Sequence, residues 1–94
     1  MWLSIAFSYL AGVLFGNGIP HFVRGITKEN YPCMLGNGPT PNLIAGWLCF
    51  VLVAVLARWI DFQSYRDVSL IAGGFGLLAI GLFHSAIGAF GRKR

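Results

Sequence analysis

The sequence predicts an all-α membrane protein with three transmembrane helices, and three observations carry that reading. Hydrophobic residues make up 56% of the 94-residue chain while charged residues are only 11%, against roughly 25% charged in an ordinary soluble domain. A chain this short hides less than about 70% of its unfolded surface on folding, so so much apolar surface would stay in contact with water. The charges also fall in clusters that leave three long uncharged runs, 1–23, 30–57 and 68–91. None of these runs alternates with the period of two expected of a barrel strand, and a spanning helix satisfies its own backbone hydrogen bonds. The same composition excludes a disordered chain. The net charge of +4 comes largely from Arg92, Lys93 and Arg94, which leaves no folded basic face for nucleic acid.

The spans follow in order as about 2–23, 43–60 and 68–91 in a single integral domain. At 1.5 Å per residue they reach roughly 34, 27 and 36 Å, against a hydrocarbon core of about 30 Å. Met1-Trp2-Leu3 has no basic side chain and no small-residue cleavage site follows Gly16-Asn17-Gly18, so the first run is read as a retained span rather than a signal peptide. Pro32, Pro39 and Pro41 keep the beginning of the second run out of the helix. Thr40-Pro41 supplies a capping hydroxyl before a proline at the first helical position, and Asp67 is placed to cap the third span in the same way. Tryptophan and tyrosine lie mostly near span ends, at headgroup level. Arg24 and Lys28 share a side with Arg92, Lys93 and Arg94, whereas the opposite side holds Arg58 and Arg66. That asymmetry predicts a cytoplasmic loop at 24–42, the N-terminus outside and the C-terminus inside. Cys33 would then face a reducing compartment and Cys49 would lie in a span, so no disulfide is expected.

Within the spans, small and polar residues are the informative ones. Ser4, Ser8, Gly12 and Gly16 recur at every fourth position, and Gly73, Gly81 and Ser85 mark one face of the third span. Small side chains let helix backbones approach in lipid, so these residues are expected to form a tight internal bundle or a seam between copies. Pro20 lacks an amide proton and frees the carbonyl of Gly16, and Gly16 and Gly18 weaken the helix around it. A span ending at Gly16 would reach only about 22 Å, so the first helix is expected to continue past a kink or break near Gly16–Pro20.

His21 and His84 are the titratable residues inside the spans, both toward the loop 24–42 side, with Asn17 as a neighbour able to orient an imidazole. Facing imidazoles could hold a haem iron or another metal, or pass a proton. The expectation is of nearby but unpaired histidines, with His21 at the headgroups. Asp61, Glu29 and Asp67 lie at the interfaces, and neither a Ser-His-Asp set nor a two-His-carboxylate set is present, so catalysis and a dedicated metal centre are not expected.

Gly16-Asn17-Gly18-Ile19-Pro20-His21-Phe22, then Gly25-Ile26, Pro39-Thr40-Pro41-Asn42 and Gly46-Trp47 resemble a group of small uncharacterised bacterial multi-pass membrane proteins. Their signature is G-N-x-x-P-H-F…G-I after the first span. The resemblance covers about a third of the chain and implies a bacterial inner (cytoplasmic) membrane, with no activity to carry over. The reading that results is a small non-enzymatic polytopic membrane protein without a resident cofactor. Its partners would be the lipid bilayer and either further copies of itself, as a homo-oligomer, or the other subunits of a membrane complex. A minimal oligomeric transporter or channel, and a haem or metal carrier through His21 and His84, are the alternatives.

Overall fold

The computed structural model describes residues 1–87. Arg92, Lys93, Arg94 and the last turn of the third span, to residue 91, lie outside the described residues. Three helices and no strand occur among the described residues: α1 (Trp2–Ile26), α2 (Pro39–Ala57) and α3 (Phe62–Leu82), which runs into a π-helical turn at Phe83–Ile87. All three are long and apolar enough to cross a membrane.

The helix ends differ from the sequence expectation in instructive ways. α2 starts earlier, with Gly38 at the N-cap and Pro39 in the first turn, so Thr40 is inside the helix and does not cap it. Proline lacks the amide that a first-turn residue would leave unpaired, and its fixed φ suits helix entry, so Pro39 takes the part assigned to Pro41. Asp67 likewise does not cap α3. Asp61 does, its Oδ1 accepting from the Ser64 amide at 3.1 Å, and the chain leaves helical geometry at Tyr65 (φ −132°, ψ 41°). One short turn therefore precedes the long straight run, which begins close to where the apolar residues begin. Pro20 lies inside α1, and the chain stays helical across Gly16–Pro20, so that segment is not unwound.

α1 is the centre of the molecule. It packs on α2 along one side and on α3 along the other, and no Cα of α2 comes within 8 Å of one of α3. The Cα trace measures 41 × 25 × 18 Å, a slab less than two helix diameters thick. The interior is built from small and polar groups: Ser4, Ser8, Gly18, His21, Asn42, Gly46, Ser69 and Gly76 are buried, while Leu70, Ile71, Phe75 and Leu78 point outward. Such inversion suits a solvent of lipid, where apolar side chains gain nothing by hiding and close backbone contact supplies the attraction.

Glycines on two sides of α1 make both seams. A Cβ on Gly12 would collide with the Gly73 carbonyl of α3, and one on Gly76 would collide with the Tyr9 carbonyl of α1. Gly16 faces Ile80 and Leu77. Two residues on from Gly16, about 200° round the helix, Gly18 faces Cys49 and Phe50 of α2. Gly46 returns that contact, its Cβ position lying 2.6 Å from the Phe22 amide and 2.8 Å from the Gly18 carbonyl, and Gly25 meets Leu43. Of the residues expected on the packing face, Ser4, Ser8, Gly12, Gly16 and Gly73 do lie in the α1–α3 seam. Gly81 and Ser85 do not: Gly81 has open space at its Cβ position, and Ser85 is exposed with its hydroxyl donated to the Leu82 carbonyl. The α3 face turned to α1 is Ser69, Ala72, Gly73 and Gly76, because the helix presents positions three and four apart to one neighbour.

At the end remote from the first loop, the Asp61 amide donates to Ser4 Oγ at 2.8 Å, tying the α2–α3 turn to the start of α1. Ser8 Oγ and Ser69 Oγ are buried without a hydrogen-bond partner among the described residues. The small volume of serine, rather than its hydroxyl, is what the seam uses there. Gly12→Ala and Gly76→Ala are each expected to destabilise the bundle by about 1–3 kcal/mol through overpacking. Gly74→Ala, where nothing lies within 4 Å, is expected to leave stability unchanged or slightly raised. Unfolding in detergent, followed by helical circular dichroism, distinguishes the two outcomes.

Candidate functional site

The polar residues gather at the end of the bundle that carries the loop between α1 and α2. After α1 the chain turns through Lys28 at φ 60° and Gly36 at φ 136°, the second being backbone that glycine adopts without strain. Thr27 Oγ1 donates to the Val23 carbonyl at 2.8 Å and closes the last turn of α1. Asn37 then folds the loop on itself: its Oδ1 accepts from the Cys33 amide at 3.1 Å, and its carbonyl accepts from the Tyr31 amide at 3.0 Å. The result is that Tyr31, a loop residue, is buried among the helices.

Asn42, in the first turn of α2, is wholly buried and holds this arrangement. Its Nδ2 donates to the carbonyls of Tyr31 at 2.8 Å, Gly38 at 2.8 Å and Asn37 at 3.2 Å. Three carbonyl acceptors fix the amide orientation, so Oδ1 is the atom facing His21, and the 2.6 Å contact is His21 Nδ1–H donating to it. The ring is held by Nδ1, which leaves Nε2 as its other nitrogen. That nitrogen has no hydrogen-bond partner among the described residues.

His84 sits in the π-turn at the end of α3, a local widening of the helix that often accompanies functional positions. Its Nε2 donates to Asn17 Oδ1 of α1 at 2.9 Å, and its Nδ1 accepts from the Tyr31 hydroxyl at 3.3 Å. Asn17 Nδ2 in turn points to Cys49 Sγ of α2 at 3.7 Å. The Tyr31 ring therefore stands against both histidines, edge-on to His21 with centroids 5.2 Å apart and tilted to His84 at 6.4 Å. The Arg24 guanidinium lies over the same ring, 5.4 Å from its centroid, and makes an exposed ion pair with Glu29 at 2.6 Å. An ion pair at that exposure is worth about 0–1 kcal/mol.

The two histidines thus come to one end of the bundle without pairing: no hydrogen bond joins them, and each is bound to a different asparagine. His21 is only 3% exposed and turned into the protein; Asn42 draws the ring inward because a buried amide oxygen offers it a partner that lipid does not. Asn17 orients His84, three helices' worth of sequence away, rather than its neighbour in the chain. No group of three or more His, Cys, Asp or Glu that could hold a metal occurs among the described residues. Asn42 and Tyr31 are the residues that sequence reasoning missed. Asn42 was visible only as a helix-entry residue after proline, and Tyr31 only as an aromatic near a span end.

Beside this network a cleft of about 260 Å³ opens between α1, α2 and the loop, lined by Asn17, His21, Cys33, Met34, Ala45 and Leu48. No family model, curated protein or solved structure matches the chain.

Replacing Asn42 tests the assignment of the network. Asn42→Leu strips three carbonyls and the His21 ring of their partner, each such loss costing about 1–3 kcal/mol when buried, and is expected to unfold the loop and lower the thermal midpoint in detergent. Asn42→Asp can still accept from His21 but cannot donate to the carbonyls, so its thermal midpoint in detergent is expected between those of the wild type and Asn42→Leu.

Proposed function

We propose that this chain is a non-enzymatic membrane protein that works inside an assembly, as a homo-oligomer or as an accessory subunit of a membrane complex. The observation that carries this reading is the unused face of α3. Gly74 and Gly81 have open space at their Cβ positions, and Ser85 is exposed on the same helical stripe. Small residues in a lipid-facing stripe gain nothing alone and gain close backbone contact when a second helix lies on them. Asp61, Glu29 and Asp67 are all exposed.

The alternatives draw less support. A haem or metal carried between His21 and His84 would need a free nitrogen on each ring, and both nitrogens of His84 are engaged. A minimal oligomeric transporter or channel would place its path between copies, and shares the assembly proposed here. The resemblance of the Gly16–Phe22 stretch to small bacterial multi-pass proteins, together with the Lys and Arg asymmetry, favours a bacterial inner membrane with the N-terminus outside.

Two measurements test this. The protein purified in mild detergent is expected to have a mass of more than one chain or to bring other membrane subunits with it. Gly81→Leu is expected to reduce it to one chain with its thermal stability intact, and a wild-type protein that runs as a single chain without companions overturns the reading. For orientation, Cys33 in intact cells is expected to resist an impermeant maleimide and to react once the membrane is opened; reaction from outside reverses the topology.

A further inference from the structure

The cleft between α1, α2 and the loop combines apolar walls with two unused hydrogen-bonding functions. Met34, Leu35, Ala45 and Leu48 supply the walls. His21 and Asn17, one turn apart on α1, supply the polar end, and residues four apart on a helix are neighbours on one face. His21 lines the cleft while its Nδ1 is committed to Asn42, which does not, so Nε2 is the nitrogen left for a ligand, an acceptor when the ring carries its one proton on Nδ1. Asn17 contributes the opposite function. Its Oδ1 is taken by His84, and its Nδ2 carries two protons of which the long contact to Cys49 Sγ uses one.

An acceptor beside a donor is the complement of a hydroxyl group, which gives one hydrogen bond and receives another. We propose that this cleft binds a membrane-soluble molecule bearing a hydroxyl on an apolar body, the O–H donating to His21 Nε2 and its oxygen accepting from Asn17 Nδ2. His21 lies five residues from the end of α1, about 8 Å along the helix, so the polar end of the cleft sits near the boundary between hydrocarbon and headgroups. There the hydroxyl of a molecule dissolved in the bilayer resides, with its apolar part free to lie along Leu48 and Leu35. The acceptor sets selectivity: a ligand lacking the proton fills the cleft without giving Nε2 a hydrogen bond, which is penalised more than a missing contact at a wet surface. Two sources share this chemistry, a phenol or hydroquinol ring and the glycerol hydroxyl of a lipid. This site is independent of the assembly proposed above, since Gly74, Gly81 and Ser85 lie on another helix.

The test uses the full-length protein in detergent and titration calorimetry against protein-free micelles. The probes are decylhydroquinone, its dimethyl ether and monooleoylglycerol. Saturable binding of the hydroquinone or the monoacylglycerol is expected, and the stronger of the two identifies the source. The dimethyl ether, unable to donate, is expected to bind at least tenfold more weakly than the hydroquinone. Ala45→Phe, which fills the cleft from the α2 side and leaves the His21 and Asn42 side chains in place, is expected to abolish binding. The nitrogen resonance of His21 Nε2 in the wild-type protein provides a readout that does not depend on the variant's folding, and it should move when the favoured hydroxyl probe is added. Two results overturn the proposal: binding of ether and hydroquinone with equal strength, or a His21 Nε2 resonance unmoved by either hydroxyl probe.

Discussion

The buried carboxamide of Asn42 is the constraint from which the loop end of this protein follows. A carboxamide placed where lipid and protein exclude water must find partners for its oxygen and its two protons, or it costs several kcal/mol in unmade hydrogen bonds. The chain meets that demand with three backbone carbonyls and one imidazole. Because the carbonyls belong to the loop and the first turn of α2, satisfying Asn42 also closes the loop. Because the imidazole belongs to α1, it fixes the register of α1 against α2, and the glycine contacts of Gly18, Gly25 and Gly46 follow from that register. Tyr31 is carried inward by the same closure and passes the order on to α3 through His84.

α1 has two packed sides and therefore two requirements that a single helix must meet together. Toward α3 it offers Ser4, Ser8, Gly12 and Gly16; toward α2 it offers Gly18, His21 and Gly25. The change of side occurs within the Gly16–Pro20 stretch, where the composition shifts from a serine-glycine ladder to polar residues. Pro20 is tolerated there because its missing amide removes one intrahelical bond in a segment held by neighbours on both sides.

Much of this fold was legible in the sequence, and the reason is physical: the number of spans depends on hydropathy over long windows, which no local contact alters. The Ser4–Gly16 ladder was legible for a related reason, since four-residue spacing of small side chains has few other causes in lipid. The faces of α3 were harder. With Gly73, Gly74, Gly76 and Gly81 spread around the helix, spacing alone does not say which of them meets α1, and the answer depends on the azimuth set by the Ser4–Asp61 and Asn17–His84 contacts. The site was half legible. His21, His84 and Asn17 stood out as polar residues in apolar spans, but the carbonyls that anchor Asn42 become acceptors only when the loop has folded, and no sequence pattern encodes that.

The slab arrangement carries a consequence for how the molecule comes together. α2 and α3 each pack closely on α1, and their own backbones stay more than 8 Å apart at Cα, so the bundle is organised as two interfaces sharing one helix. Chains emerge N-terminus first, so α1 and α2, with the loop stapled by Asn42, form a complete hairpin before α3 has been made. α3 then arrives as a leaf laid on a finished surface, joined by the glycine seam and latched at its far end by His84. The order of synthesis is thus also the order in which each surface finds its partner.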